Sequence, residues 1–372
     1  MDPKNRLNDD EERVNSTIEK VRRRGIRLTD DHITLAHGAG GKASAALVEQ
    51  VFVAVFADEE LQNLGDAGVV PLADLLAGVE TDGGAIALST DSYVVNPIEF
   101  PGGSIGDLAV NGTVNDLSVS GAVPKVVSAA FVLEEGLPVE TLRRIVADMK
   151  AAADAAGVRI VTGDTKVVPH GACDQLYITT AGVGVVPAGR TLHADSVQRG
   201  DKVILSGPIA DHGMAVMMAR GDLAIDAPIE SDTRAVNAMV TALLEAAPGT
   251  RWMRDATRGG VGTVLNELAM ATGFGVAVTD DDILVRDMTR AACDMLGIDP
   301  LYVANEGTFV AVVPADEAEA AVAALHEVPG GEQARIVGRV VAQPAASVVL
   351  VTGFGGTRMV DMLVGDPLPR IC

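Results

Sequence analysis

A chain of 372 residues, 48% of them hydrophobic, has the material for more than one buried core, which excludes a disordered chain and predicts two domains. Its formal charge of -22 lacks the basic footprint that nucleic acid or an anionic membrane surface requires, so neither is expected as a partner. An anionic ligand such as a nucleotide would need a divalent cation to bridge it to so acidic a protein.

Residues 1–31 read as a polar extension, helical in part around 13–24, without the apolar stretch of a secretory signal. From His37, "HGAGGKASAALVEQVFVAVF" is a glycine-rich turn running into an apolar helical pattern. Strands are predicted at 85–90, 125–135, 157–161 and 176–186. Helices are predicted between them at 105–120 and 139–156, the second carrying Leu142, Ile145, Val146 and Met149 on one face. A second block opens near Ser196 with a strand in "RGDKVILSG". It continues with helices at 233–247, 262–271 and 315–326 and strands at 307–313, 335–341 and 347–351. Mixed elements in two consecutive blocks predict two α/β (α+β) domains, residues 32–195 and 196–352. No run approaches the roughly 20 apolar residues of a membrane span.

After Thr352, "GFGGTRMVDMLVGDPLPRIC" is expected to be a flexible tail, residues 353–372, reaching on the order of 60 Å when extended. Cys173, Cys293 and Cys372 stand far apart with no CxxC pair, and the six histidines are scattered, which fits a reducing cytoplasm without a structural zinc site. Cys372 is too late for a prenylation signal, and a frayed end anchors a disulfide poorly. It reads as a thiol on a tether.

Three acidic residues are expected at strand-to-turn junctions: Asp66 in "GDAG", Asp91 in "STDSY" and Asp164 in "VTGDTK". Carboxylates on such rigid bases suit Mg²⁺, although each alone is equally ordinary turn chemistry. In "GGSIGDLAVNGTVNDLSVSGA", Asp107, Asn111 and Asn115 fall at i, i+4 and i+8, a polar stripe beside Val110, Val114 and Leu117. A solvated face favours Lys and Glu, so the aligned asparagines invite another role; Asp116 points roughly 100° away from Asn115. Two glycine turns that each open a helix, "HGAGGK" and "DATRGGVG", are candidates to cradle phosphate through backbone N–H groups. Neither has P-loop spacing. Lys166 and Glu306 of "ANEG" complete the candidates, and each alone is normally a solvated side chain.

Taken together, "HGAGGK", "STDSYVV", the helix above, "TGDTKVV", "DHGMA", "DATRGG", "YVANEG" and "PRIC" resemble the HypE family of hydrogenase maturation proteins. These are carbamoyl dehydratases of the superfamily that includes aminoimidazole ribonucleotide synthetase, selenophosphate synthetase and thiamine monophosphate kinase. The likeness spans about residues 32–372, and "PRIC" is its most specific element. It implies a two-domain synthetase-like fold and a homodimer paired through the N-terminal domains, with ATP near that interface. It also implies that Cys372 receives a carbamoyl group from the carbamoyltransferase HypF and that the enzyme dehydrates it to a thiocyanate. The cyano group then passes to iron on a HypC–HypD scaffold, toward a [NiFe]-hydrogenase. Carried onto this chain, the resemblance implies nucleotide contacts at Gly40, Gly41, Lys42, Asp91, Asn115, Asp164, Thr165, Asp255, Gly259 and Gly260. It implies Mg²⁺ at Asp66, Asp91, Asp116 and Asp164, with Glu306 as base, Lys166 orienting or relaying the proton, and Cys372 as carrier. Glu99 in "NPIEFPGG" departs from the pattern, which has a second aromatic there. Two other readings remain: a small-molecule kinase or synthetase that ignores the tail, and a non-catalytic thiol scaffold.

Overall fold

Two sheets organise the chain. The structure is a computed structural model that describes residues 27–62, 67–80, 82–221 and 227–362. The first sheet has four strands in the order Ala85–Tyr93, Leu176–Val186, Val123–Glu134 and Arg159–Val168; the last pair is parallel and the others antiparallel. Two of the predicted strands prove longer than their apolar runs. The 85–90 strand continues to Tyr93, and the 157–161 strand becomes Arg159–Val168. Their long neighbours keep offering ladder partners, Thr180 to Asp91 and Ala130 to Asp164, so the backbone stays extended through polar residues. Asp91 and Asp164 therefore sit within strands, not at the junctions expected of them.

The helices Ile105–Val119 and Val139–Ala156 cover one face of this sheet. The first is held by a capping box in which Asp107 Oδ2 accepts the Ser104 N–H at 2.8 Å. The second follows Pro138 and ends at Gly157, which takes a φ of 68°. Its predicted face of Leu142, Ile145, Val146 and Met149 is wholly buried. Glu99 finds its reason here, because Arg144 of that helix grips both its oxygens at 2.9 Å.

The second sheet has seven strands in the order Thr357–Val360, Val348–Val351, Gly275–Thr279, Arg335–Val341, Lys202–Leu205, Phe309–Val313 and Trp252–Asp255. Phe309–Val313 is buried on both sides: Val310 and Val312 join one apolar core, and Phe309, Ala311 and Val313 the other. Asn237–Ala246 and Ala318–His326 cover the latter side, while Asp211–Ala219, Gly260–Thr272 and Asp287–Leu296 pack over the former. Three short strands had no clear period in the sequence. One of them, Thr357–Val360, lies in the expected tail, where it pairs with Val348–Val351. That stretch is therefore sheet as far as Val360.

The polar stripe of Ile105–Val119 is not solvated. Asn111 donates to Thr233 Oγ1 at 3.2 Å, and Asn115 bonds to the backbone of Arg234 and Val236, so the stripe docks the helix on the second domain. Among the described residues, no helix is long and apolar enough to cross a membrane.

Candidate active site

Strand alternation decides which candidates meet. Thr180 pairs with Asp91 and hydrogen-bonds Thr113 of the helix layer at 2.6 Å, so Asp91 shares the covered face of the first sheet. Its neighbour Ser92 hydrogen-bonds Thr179 at 2.9 Å on the opposite, open face. Asp116 reaches the sheet from the helix and accepts the Ser89 hydroxyl at 2.6 Å. Asp255, at the end of Trp252–Asp255, and Glu306, in the loop before Phe309–Val313, approach from the second domain.

These carboxyl groups feel one another. Burial pushes the Glu306 carboxyl well above the usual range, reinforced by Asp255, Asp232, Asp91 and Asp116. Burial and then Asp116 push Asp255 up to about 7. Asp116 is raised by burial and by Asp91, against the opposing Ser89 hydrogen bond. Tyr93, buried beside them, is raised by the same burial and by Asp91 and Glu306. A half-buried crowd of carboxyl groups is a place for positive charge, and Arg254 and Arg258 supply it at the edge, Arg258 Nη2 lying 3.9 Å from Asp91 Oδ1. Arg258 follows Thr257 in the "DATRGG" turn, where attention to the glycines overlooks it. The turn itself is tight: Gly259 and Gly260 have φ of 72° and 61°, and a Cβ on Gly260 would stand 2.5 Å from the Leu301 carbonyl oxygen.

A second group forms elsewhere. Asp164 and Thr165 of the edge strand, with Lys166, line a cavity of about 350 Å³ together with His37, Gly38, Gly40 and Ser44. Lys166 Nζ lies 2.7 Å from Asp164 Oδ2, and that hydrogen bond holds the Asp164 carboxyl below its ordinary range. Gly41 caps the helix Lys42–Leu47, so the "HGAGGK" turn opens a helix as expected. The cavity is open at one side and floored by Phe52, Phe56 and Phe131. An apolar floor with a glycine turn and a cation at its rim suits a nucleotide.

The two groups do not join within one chain. Asp164 pairs with Ala130, three strands from Asp91 and therefore about 14 Å away, and its register puts it on the open face with Ser92 and Thr179. The four carboxylates expected to share Mg²⁺ are thus divided, with Asp91 and Asp116 on one side and Asp164 on the other; Asp66 lies outside the described residues. Among the described residues, no group of His, Cys, Asp or Glu is arranged to hold a metal ion. Asn115 has a different task from the one expected. Its amide is 2% exposed and wholly engaged with the backbones of Arg234, Val236 and Glu306. Cys372 lies outside the described residues.

Comparison with known proteins finds two domain families matched in succession along the chain. Residues 64–186 match the N-terminal domain, and 198–351 the C-terminal domain, of AIR synthase related proteins. The chain is 51% identical over 347 residues to the carbamoyl dehydratase HypE of Rhodobacter capsulatus, covering 93% of this chain and all of that one. A crystal structure of the hydrogenase maturation protein HypE in complex with ATP superposes with a TM-score of 0.84 at 43% identity, over 91% of this chain and 99% of that one. The structure of a HypE–HypF complex superposes at 0.73 and 42% identity, over 86% and 100% of the respective chains. With both domains matched and 51% identity to a relative across 93% of its length, the chain belongs to the HypE family of carbamoyl dehydratases.

Proposed function

We propose that this enzyme converts a carbamoyl group carried as an S-carboxamide on Cys372 into an S-cyanate, with ATP consumed to ADP and phosphate. The observation that carries the reading is Glu306, a carboxyl that is 3% exposed and set among Asp255, Asp91 and Asp116 in a family of carbamoyl dehydratases. An amide oxygen leaves poorly; transfer of the ATP γ-phosphoryl group to it creates a phosphate leaving group. The nitrogen must then shed both protons as the C≡N bond forms. A carboxyl whose proton affinity is raised by burial is a strong base once ionised, and Glu306 has that setting. Lys166, on the rim of the cavity with Asp164, suits a role in orienting the nitrogen or relaying its proton. The cavity lined by Gly40, Asp164 and Thr165, with Gly41 and Lys42 beside it, and the Gly259–Gly260 turn following Asp255 are the proposed nucleotide contacts. Mg²⁺ arriving with the nucleotide would neutralise phosphate charge against a protein of net charge -22. Among the described residues one chain assembles no complete carboxylate set for the ion, so no step here depends on protein ligands to it.

HypF is the proposed carbamoyl donor, a role supported by the HypE–HypF complex of a relative. A HypC–HypD scaffold in the cytoplasm is the proposed acceptor, toward the cyanide ligands of a [NiFe]-hydrogenase. A homodimer through the open face of the first sheet is supported by that face itself, where Ile86 is 58% and Leu88 77% exposed. The test treats the full chain with cyanate, then with MgATP, and follows the mass of the peptide bearing Cys372. Loss of one water from the S-carboxamide is expected, and Glu306→Gln should retain the S-carboxamide while still binding ATP. An unchanged mass in the unaltered chain, or dehydration at full rate by Glu306→Gln, would refute the reading.

A further inference from the structure

The peptide that carries Glu306 is held from both sides by groups of different origin. Asp232, 7% exposed, accepts the Glu306 N–H on Oδ1 at 2.9 Å. Its Oδ2 accepts the Gly307 N–H at 3.0 Å and the Thr308 hydroxyl at 3.2 Å. From the first domain, Asn115 donates to the Glu306 carbonyl oxygen at 3.1 Å and to that of Arg234 at 3.0 Å, while its own oxygen accepts the Val236 N–H at 2.8 Å. There is no slack beside them: a Cβ on Gly307 would overlap the Asp232 carbonyl oxygen. We propose that Asp232 and Asn115 are positioning residues for Glu306, fixing its peptide through both its N–H and its C=O so that the base is set only while the two domains are docked.

The inference rests on the reading of Glu306 as base. Its physical warrant lies in the choice of residue at 232. Two backbone N–H groups reach its two oxygens separately, with the Thr308 hydroxyl shared between Oδ2 and the Pro208 carbonyl oxygen, and only a carboxylate accepts at both positions without presenting a hydrogen of its own. Burying that carboxylate beside the carboxyls of Glu306 and Asp211 is unfavourable unless its bonds are worth the cost. Asn115 closes the other side from a helix whose polar stripe already binds the segment that carries Asp232, through Asn111 and Thr233. The hydrogen bonds of both residues reach Glu306 through its backbone, and Asp232 in addition sets its charge against that carboxyl, so Asn115 is the one that acts on Glu306 through the backbone alone. A small rotation of that peptide moves the carboxyl by a sizeable fraction of an ångström, enough to matter for proton transfer.

Asp232→Asn tests this, because it keeps the shape and turns one acceptor into a donor facing an N–H. In the full carbamoylated chain, the single-turnover dehydration rate should fall by about 10- to 100-fold. The KM for ATP should stay within about twofold, since the nucleotide contacts lie elsewhere. The discriminating arm is the double variant: Asp232→Asn should not lower the residual rate of Glu306→Gln any further. An unchanged rate in the single variant, or the same fractional loss in both backgrounds, overturns the proposal in favour of a purely structural carboxylate. Asn115→Ala gives the same reading if Asp232→Asn does not fold. In the unaltered protein, the Glu306 and Gly307 amides should be among the slowest to exchange hydrogen, and exchange at loop rates also overturns it. If Glu306→Gln keeps the full rate, the base assignment fails instead, and the exchange result still reports on the grip.

Discussion

Asp107 caps its helix and faces the second domain, and the two tasks pull its charge in opposite directions. Burial raises it to about 7, the Ser104 N–H works against that, and Asp148 adds to it. In the unfolded chain the same carboxyl releases its proton near 3.8. Below that pH it is protonated in both states, and its contribution to stability is fully present. Between there and about 7 the unfolded chain gives up the proton first, so the contribution is progressively lost as pH rises. Asp107→Asn keeps an oxygen for the cap and cannot titrate. Urea midpoints measured from pH 4 to 8 should therefore fall less steeply with rising pH in the variant than in the parent. Parallel curves would show that Asp107 ionises as freely in the folded state as in solution.

At the scale of elements, the helix Ile105–Val119 does three jobs: it covers the first sheet, docks the second domain and presents Asp116. Gly112 shows how tightly it lies, because a Cβ there would overlap Tyr93 Oη, and Tyr93 is 1% exposed with nowhere to move. Gly112→Ala gains about 1 kcal/mol of helix propensity, but overpacking of this kind costs about 2 kcal/mol. We expect net destabilisation in denaturant titrations, partly reversed by adding Tyr93→Phe. This helix was legible in the sequence because its apolar residues keep the helical period. Its polar stripe invited a role, but which surface it faced was not legible, since the partner segment around Thr233 has no period of its own. Val139–Ala156 was legible to the residue, having Pro at one end and Gly at the other. Strand ends were not, because ladder partners outside the local window extend them through Asp91 and Asp164. Glu306 was reachable through the motif around it. Asp232, in "SDTRAV", gives no local sign of burial, and its importance exists only after Glu306 and Gly307 fold onto it.

The whole molecule poses the question that one chain leaves open: how Lys166, on the open face of the first sheet, would act with Glu306, behind the opposite face, in the proposed reaction. Among the described residues, the outer strands of that sheet, Ala85–Tyr93 and Arg159–Val168, each have one edge without a strand partner. A two-fold partner laid on the exposed Ile86 and Leu88 can set its own Arg159–Val168 beside Ala85–Tyr93 of the first copy. In that arrangement Asp164 and Lys166 of one subunit arrive near Asp91 of the other, and each working site draws on both chains. The consequence is measurable without any knowledge of the interface. Lys166→Ala and Glu306→Gln should each be inactive as homodimers. Mixed in equal amounts and allowed to exchange subunits, half the dimers are mixed, and each of those holds one intact site and one doubly impaired site. The mixture should then recover about one quarter of the parental dehydration rate. If Lys166 and Glu306 act within the same chain, every site in the mixture carries a defect and no activity returns. Leu88→Asp, which places a charge on the open face, should abolish the recovery by preventing the mixed dimer from forming.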